Sequence, residues 1–217
     1  MIYYGGRGWD GFGNKYVGEV SDGIPNGQGT LTGPGGDEYV GEFRNAKFSG
    51  QGTFNHSNGT QYSGEWADNQ PNGHGTMTYE KSSGFSEYTG EFKDGKRRGQ
   101  GTMLFSDGSK YVGKWENGEQ HGQGEKTLID GSTYVGEWAH NTKSGRGTLT
   151  QSDGHIYEGQ WIGDKKIGQG SMSYPNGEKY VGEWMNDVRH GQGTYTYIDG
   201  STYEGAFKYG EPTDENN

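Results

Sequence analysis

One unit of 23 residues repeats along the whole chain, and this period constrains the fold more than any other feature of the sequence. Its clearest copy, residues 180–202, reads YVGEWMNDVRHGQGTYTYIDGST, with Tyr, Gly and Trp at offsets 0, 2 and 4 and a Gly-x-Gly pair after them. The anchor tyrosines, 23 residues apart except once, are Tyr16, Tyr39, Tyr62, Tyr88, Tyr111, Tyr134, Tyr157, Tyr180 and Tyr203. A fixed period of this length is typical of repeat architectures, in which each unit packs against its neighbours.

Composition by itself would place the chain among disordered proteins, but the repeat argues against this. Leu, Ile, Val and Phe make up 26 of the 217 residues and the formal net charge is -10, a combination typical of chains without a packed core. However, the 16 Tyr, 6 Trp and 8 Phe recur at fixed positions of the unit. We therefore expect each unit to bury large aromatic rings in place of aliphatic side chains.

Each unit contains two segments with the alternation of a β-strand. Tyr, Gly and Trp at offsets 0, 2 and 4 share one face of a strand, and the residues between them face the other way. After the Gly-x-Gly pair, larger apolar residues alternate with Thr, as in the GTYTY of residues 193–197. Gly has no side chain, so the rings can lie across it and pack against each other. No window shows the 3.6-residue period of a helix.

Two kinds of connection join these strands. Asn-Gly or Asp-Gly pairs, such as Asn176-Gly177, separate the units and are expected to supply the positive φ of tight hairpin turns. The connection within a unit always has the same length, which predicts a fixed hairpin at the opposite edge. The irregular spacing between Tyr62 and Tyr88 falls in a connection between units, within residues 79–87, where an insertion is tolerated.

The predicted fold is all-β, an elongated single-layer antiparallel β-meander of hairpin repeats. We expect a degenerate half repeat over residues 1–15, with an imperfect second strand at 6–13. Eight repeats cover residues 16–202, and a half repeat with an acidic tail covers 203–217. The two terminal strands then present open edges, which invite end-to-end assembly with another copy or another β-protein.

The unit resembles the MORN repeat (membrane occupation and recognition nexus), whose pattern is Tyr-x-Gly-x-Trp followed by Gly-x-Gly. Two copies depart from it, with Val20 in the aromatic position of the first unit and Glu125-Lys126 replacing Thr and an apolar residue in the fifth. The resemblance implies a scaffold. Short chains made almost wholly of such repeats are similar to radial-spoke-head components of ciliary axonemes and to retinophilin-like adaptors.

Several other functions are disfavoured by the sequence. The chain has no Cys, which excludes thiolate chemistry and favours a cytoplasmic location. We predict no signal peptide, no membrane span, no nucleic-acid binding and no metal site, because basic stripes and paired His ligands are missing. Gly6-x-Gly8-x-x-Gly11 and the calcium-type nonapeptide of residues 5–13 lack the context that their chemistry needs. Neither a nucleophile elbow nor a phosphate loop is present, so no catalysis and no cofactor are predicted.

The carboxylates at offset 3 recur on the face opposite to the rings. The alternation places them outward, and we interpret them as a solubilising stripe rather than as general acids, which need burial or a charged partner. They are Glu42, Glu65, Glu91, Glu137 and Glu183.

The apolar face is the predicted functional site, because a single-layer sheet leaves it uncovered and a partner is its natural cover. The Tyr, Gly and Trp rows of this face have a structural interpretation. The residues two and four positions after the Gly-x-Gly pair vary between units, so we interpret them as recognition positions, and a role in packing is the alternative. The predicted groove residues are Tyr79, Phe105, Leu128, Tyr174, Tyr197, Met77, Met103, Met172, Trp115, Trp138, Trp161 and Trp184.

These observations lead to a functional hypothesis of a non-catalytic protein-binding scaffold in a ciliary axoneme. We expect the groove to hold an extended or helical segment of another protein, and the acidic net charge favours a basic one. An alternative is a peripheral membrane adaptor for phosphoinositides, suggested by the family name and by Lys96-Arg97-Arg98 but opposed by the net charge. A second alternative is an adaptor for a cytoskeletal motor.

Overall fold

Every regular element in the described part of the chain, residues 2–4 and 13–213 of the computed structural model, is a β-strand. The chain divides into two compact units, residues 1–107 with 115–118 (unit 1) and residues 108–114 with 119–217 (unit 2). The strands of unit 1 are β1 (Ile2–Tyr4), β2 (Lys15–Ser21), β3 (Ile24–Thr32), β4 (Glu38–Arg44), β5 (Lys47–Asn55), β6 (Gln61–Ala67), β7 (Gln70–Thr78), β8 (Phe85–Lys93) and β9 (Lys96–Phe105). Strand β10 (Lys110–Glu116) contributes residues to both units. The further strands of unit 2 are β11 (Glu119–Thr127), β12 (Thr133–Ala139), β13 (Thr142–Thr150), β14 (Ile156–Ile162), β15 (Lys165–Ser173), β16 (Lys179–Met185), β17 (Val188–Thr196), β18 (Thr202–Lys208) and β19 (Glu211–Pro212).

Within each unit, consecutive strands pair antiparallel, which confirms the predicted all-β meander of hairpins. The register places like residues of the repeat side by side, with Gly182 opposite Gly193, and Gly193 opposite Gly205. The glycines therefore form a row across the strands. The strand predicted over residues 6–13 lies outside the described residues apart from Gly13.

The anchor tyrosines form the core of each repeat by lying across this glycine row. Tyr180 is fully buried, and its Oη donates a hydrogen bond of 2.8 Å to the carbonyl oxygen of Glu183. A Cβ built on Gly193 would lie 2.6 Å from the Tyr180 ring, so only glycine allows the ring to approach this closely. This confirms the expectation that the rings lie across the glycines.

The tryptophans connect each repeat to the one before it. The indole Nε1 of Trp184 donates to the carbonyl oxygen of Gly170 at 3.2 Å, and the ring meets Tyr157 and Tyr180 edge to face at centroid distances of 5.1 and 5.3 Å. The same indole-to-glycine bond, 14 residues back along the chain, is made by Trp66, Trp115, Trp138 and Trp161. Within each unit, alternating Tyr and Trp rings thus replace an aliphatic core.

The tight two-residue turns lie within the repeats and not between them. Asn186 and Asp187 both have positive φ, 51° and 71°, as a type I′ hairpin turn requires. In the Asn176-Gly177 pair between two repeats, Gly177 has positive φ (94°) and Asn176 does not. The Oδ1 atom of Asn176 accepts a hydrogen bond of 3.0 Å from the Glu178 N–H. The expectation that the Asn-Gly and Asp-Gly pairs form the tight turns was therefore wrong, because the tight turns lie within the repeats. These pairs instead close longer loops between repeats, with an Asx turn.

The recurrent glutamates support a bulge in the second strand of their own hairpins. At Gly191 (φ 60°) the register between β16 and β17 shifts, and the exposed N–H of Gln192 donates to Glu183 Oε1 at 2.9 Å. The equivalent bonds are made by Glu42, Glu65, Glu91 and Glu137. The interpretation of these carboxylates as a solubilising stripe is thereby corrected, because each one satisfies a backbone donor that the bulge leaves unpaired.

Candidate protein-binding face

We call the side of the strands that carries the Tyr and Trp rings the aromatic face, and all twelve predicted groove residues lie on it. Leu128 and Tyr197 are the most accessible, with 40% and 38% of their surface exposed. Met77, Tyr79, Phe105 and Tyr174 are half-buried. The buried members, which are held inside the ring stack, are Met103, Met172, Trp115, Trp138, Trp161 and Trp184. The accessible part of the face thus consists of the variable slots and not of the tryptophans.

In unit 1, an aromatic cluster forms around the inserted segment. Phe85, which the sequence reasoning missed, lies 5.4 Å from Tyr79 and 5.8 Å from Phe105, measured between ring centroids. The Arg97 guanidinium lies 4.6 Å above the Trp115 ring centre and donates from Nη2 to the Gly118 carbonyl oxygen at 2.6 Å. The insertion therefore adds the Phe85 ring to the predicted groove residues. Burial in this cluster raises the pKa of the Tyr79 phenol.

The basic run Lys96-Arg97-Arg98 does not form one patch. Arg97 points to the aromatic face, whereas Lys96 and Arg98 are exposed and alternate with it along β9. The phosphoinositide alternative thereby loses the continuous cationic patch on which it depended.

In unit 2, a second cluster forms at the end of the repeats. Tyr174 and Tyr197 lie 6.0 and 4.9 Å from the Tyr195 ring, and the Arg189 guanidinium is 5.0 Å above that ring. Tyr195 Oη donates to Glu178 Oε2 at 2.7 Å. Burial first, and then this neighbouring carboxylate, raise the pKa of Tyr195 to about 12, so the phenol stays neutral.

Leu128 lines a small pocket on the aromatic face of unit 2. The pocket has a volume of about 140 Å³. It is lined by Lys126, Leu128, Tyr134, Trp138, Asn141, Lys143, Leu149 and Asp164. Lys126 and Leu149 lie two residues after the Gly-x-Gly pair, the position that Met172 and Tyr195 occupy in later repeats. Lys126 is one of the two residues by which the fifth repeat departs from the pattern, so this departure coincides with the pocket.

The sequence reasoning also missed a row of cations on the aromatic face. Lys143 Nζ lies 5.1 Å from the centre of the Trp161 ring, and Lys166 Nζ lies 5.3 Å from that of Trp184. Burial is the main cause that lowers the pKa of both lysines. The register of the hairpins sets this row, because the second residue after each two-residue turn pairs with the Trp of its own hairpin, as Lys143 does with Trp138.

Residues 2–4 and 13–213 contain neither a metal-binding cluster nor a membrane-spanning helix. No group of three or more His, Asp or Glu side chains in this part is arranged to hold a metal ion. No helix there has the length and apolar character of a membrane span.

The MORN-repeat model matches eight consecutive segments of the chain, residues 16–38, 39–61, 62–83, 88–110, 111–133, 134–156, 157–179 and 180–202. The chain belongs to the MORN-repeat family. The MORN matches leave out residues 84–87, which fall in the connection where an insertion was predicted, so Phe85 of the unit 1 cluster lies outside the repeats themselves.

Among solved structures, the chain is similar to TCP10 domains. The TCP10 domain of Danio rerio CPAP in complex with a peptide of Danio rerio STIL matches with 13% identity and a TM-score of 0.49, over 85% of this chain and 82% of that one. The same domain without the peptide matches with 11% identity and a TM-score of 0.49, over 98% and 100%. At these values neither structure identifies a function for this chain. No curated protein sequence matches it.

Proposed function

We propose that this MORN-repeat chain is a non-catalytic scaffold whose aromatic face holds a segment of another protein within a ciliary axoneme, such as a radial spoke. MORN repeats form protein-interaction or membrane-binding modules, and the coarse assignment to such a module follows from the family. The observation that carries the choice of protein binding is the exposure of Leu128 and Tyr197 on a face whose Trp rings are buried.

The locked rings make this face a preorganised surface. Trp161 and Trp184 are fixed by indole hydrogen bonds and by edge-to-face contacts with Tyr157. A partner that docks here orders few side chains of the scaffold, so less conformational entropy opposes binding. An exposed Tyr side chain on such a surface, such as Tyr197, supplies contact area at low entropic cost.

Site-specific cross-linking tests this proposal. A photo-reactive amino acid is placed at position 128 or 197 of the full chain in ciliated cells, and the matched control places it at Ile162, an exposed apolar residue on the opposite face. We expect one discrete partner from 128 and 197 and none from 162. The purified partner should bind the wild-type chain and lose affinity for Leu128→Asp. Equal yields from all three positions, or a reconstituted partner indifferent to Leu128→Asp, would rule out the aromatic face.

Localisation tests the axonemal part separately. The tagged full chain should colocalise with axonemal microtubules and resist detergent extraction with them. A diffuse, fully extractable chain would refute the axonemal assignment and leave protein binding standing.

A further inference from the structure

The aromatic face of unit 2 carries a row of three cations although the chain as a whole is acidic. Lys143, Lys166 and Arg189 occupy the same position in three consecutive repeats, the second residue after the two-residue turn. Each holds its charge against the ring stack, with Arg189 lying 5.7 Å from the centre of the Phe207 ring. A net charge of -10 therefore does not describe the surface that a partner on this face would meet.

The spacing of these cations matches one particular backbone conformation. Each repeat adds two strands, so equivalent residues of adjacent repeats lie roughly 9.6 Å apart. A polyproline II helix rises about 3.1 Å per residue with three residues per turn, so every third side chain points the same way at intervals of about 9.3 Å. In a β-strand, by contrast, residues three apart point to opposite sides. A polyproline II segment that crosses the strands can thus present one acidic side chain to each cation.

We propose that the aromatic face of unit 2 binds an acidic segment in polyproline II conformation, with a carboxylate at every third residue facing Lys143, Lys166 and Arg189. This inference rests on the proposed function and specifies its partner. It revises the expectation of a basic partner, which followed from the net charge of the chain rather than from the charge of this face. The apolar residues between the carboxylates meet Leu128, Tyr174 and Tyr197, and aromatic-lined surfaces are the usual receptors of polyproline II segments.

The pocket beside Leu128 provides a further point of contact. Its volume is about 140 Å³, whereas one molecule of liquid water takes up roughly 30 Å³. The pocket therefore has room for a compact apolar ring such as that of proline. Burial lowers the pKa of Lys143 and of Lys166 most, and a neighbouring lysine lowers each one further, Lys126 for Lys143 and Lys143 for Lys166. A row of carboxylates would relieve this repulsion.

An anionic membrane suits this face less well than a peptide does. The ammonium groups lie against the rings and are recessed, whereas Asp164 and Asp187 in the turns lie close enough to raise the pKa of these lysines. Glu178 adjoins Arg189 through Tyr195. A flat lipid surface would bring its own negative charge against these carboxylates, while a narrow peptide can run between them.

Binding of synthetic peptides to the full chain tests this proposal. The probe is a fluorescent (Glu-Pro-Pro)5 peptide, compared with (Lys-Pro-Pro)5 and with an isomer in which the five Glu are adjacent. The variant is Lys143→Gln with Lys166→Gln, a substitution with a precedent in the chain, because Gln120 fills the same slot in an earlier repeat. The matched control is Lys165→Gln, which removes an exposed lysine from the opposite face of the same strand.

We expect (Glu-Pro-Pro)5 to bind, to lose about tenfold in affinity for the double variant, and to bind Lys165→Gln as it binds the wild type. The isomer with adjacent Glu should bind more weakly. Equal affinity for the double variant, equal or tighter binding of (Lys-Pro-Pro)5, or binding to phosphatidylinositol-4,5-bisphosphate vesicles without peptide binding would overturn the inference. A partner that cross-links at position 128 but lacks such an acidic segment would also overturn it while the proposed function stands.

Discussion

Replacing Gly182 by Ala should destabilise this protein more than its size suggests, because one added methyl group has nowhere to go. A Cβ at Gly182 would lie 2.5 Å from the Gly193 Cα, 2.6 Å from the Gln192 carbonyl oxygen and 2.5 Å from Tyr180 Oη. Two of these three atoms belong to the backbone of the neighbouring strand, so no change of side-chain rotamer relieves the overlap. Either the two strands separate or Tyr180 leaves its place.

The structure sets the magnitude between two limits. Overpacking that the strands absorb costs about 1–3 kcal/mol. Loss of the fully buried Tyr180 ring would expose about 150–200 Å² of surface at about 25 cal/mol per Å², or about 4–5 kcal/mol. Because both the backbone and the ring obstruct the methyl group, we expect about 3–5 kcal/mol, which for a chain of this length lowers the melting temperature by about 6–20 °C.

Differential scanning calorimetry measures this loss, and hydrogen exchange over residues 179–207 shows whether it is local, as expected where each repeat contacts only its neighbours. Gly35→Ala is the matched control, since a Cβ there meets no atom within 4 Å. If Gly182→Ala melted within 2 °C of Gly35→Ala, the close approach of ring and backbone described for the glycine row would be wrong.

Three further predictions concern the same repeat unit. Glu183→Ala should lower the free energy of unfolding by about 0.5–1.5 kcal/mol and speed exchange of the Gln192 amide, whereas Glu183→Gln keeps the acceptor and should leave that exchange slow; equal exchange in both variants would contradict the role of the carboxylate. Trp161→Phe should cost about 1–3 kcal/mol in urea unfolding, because the Gly147 carbonyl oxygen loses its donor within the sheet, and an unchanged midpoint would show that bond to be unimportant. Burial raises the pKa of Tyr180 to about 12, and other anchor tyrosines shift in the same direction. The folded state therefore holds these protons more tightly than the unfolded state, so stability should be complete below about pH 10 and fall as the pH rises from about 10 to 12; tyrosinate absorbance that rises before unfolding would refute this.

The periodicity of the sequence predicts those parts of the fold that depend on neighbouring residues. Tyr180, Gly182 and Trp184 share a face because a strand alternates, and the sequence places them two residues apart. The position of the insertion follows in the same way, because only a connection tolerates extra residues. These features need no knowledge of what lies across the sheet.

The features that could not be predicted depend on contacts between strands. The bulge at Gly191 brings the Gln192 N–H to Glu183, nine residues earlier, and simple alternation hides this bond by placing Glu183 on a solvated face. Lys166 appears in the sequence as one of two adjacent lysines, and only the pairing with Trp161 shows that it lies on the aromatic face while Lys165 does not.

These contacts also explain why recognition is expected in so few positions of the unit. In the repeat anchored by Tyr180, the phenol, the indole of Trp184 and the carboxylate of Glu183 each satisfy a backbone group. A substitution at any of them removes a bond of the sheet, so these positions cannot vary freely to suit a partner. The residue two after the turn and the residue four after the Gly-x-Gly pair, here Arg189 and Tyr197, lie on the same face. In the proposed binding mode, specificity therefore depends on which side chains fill those two slots, and the repeat spacing fixes the intervals at which a partner must present its own groups.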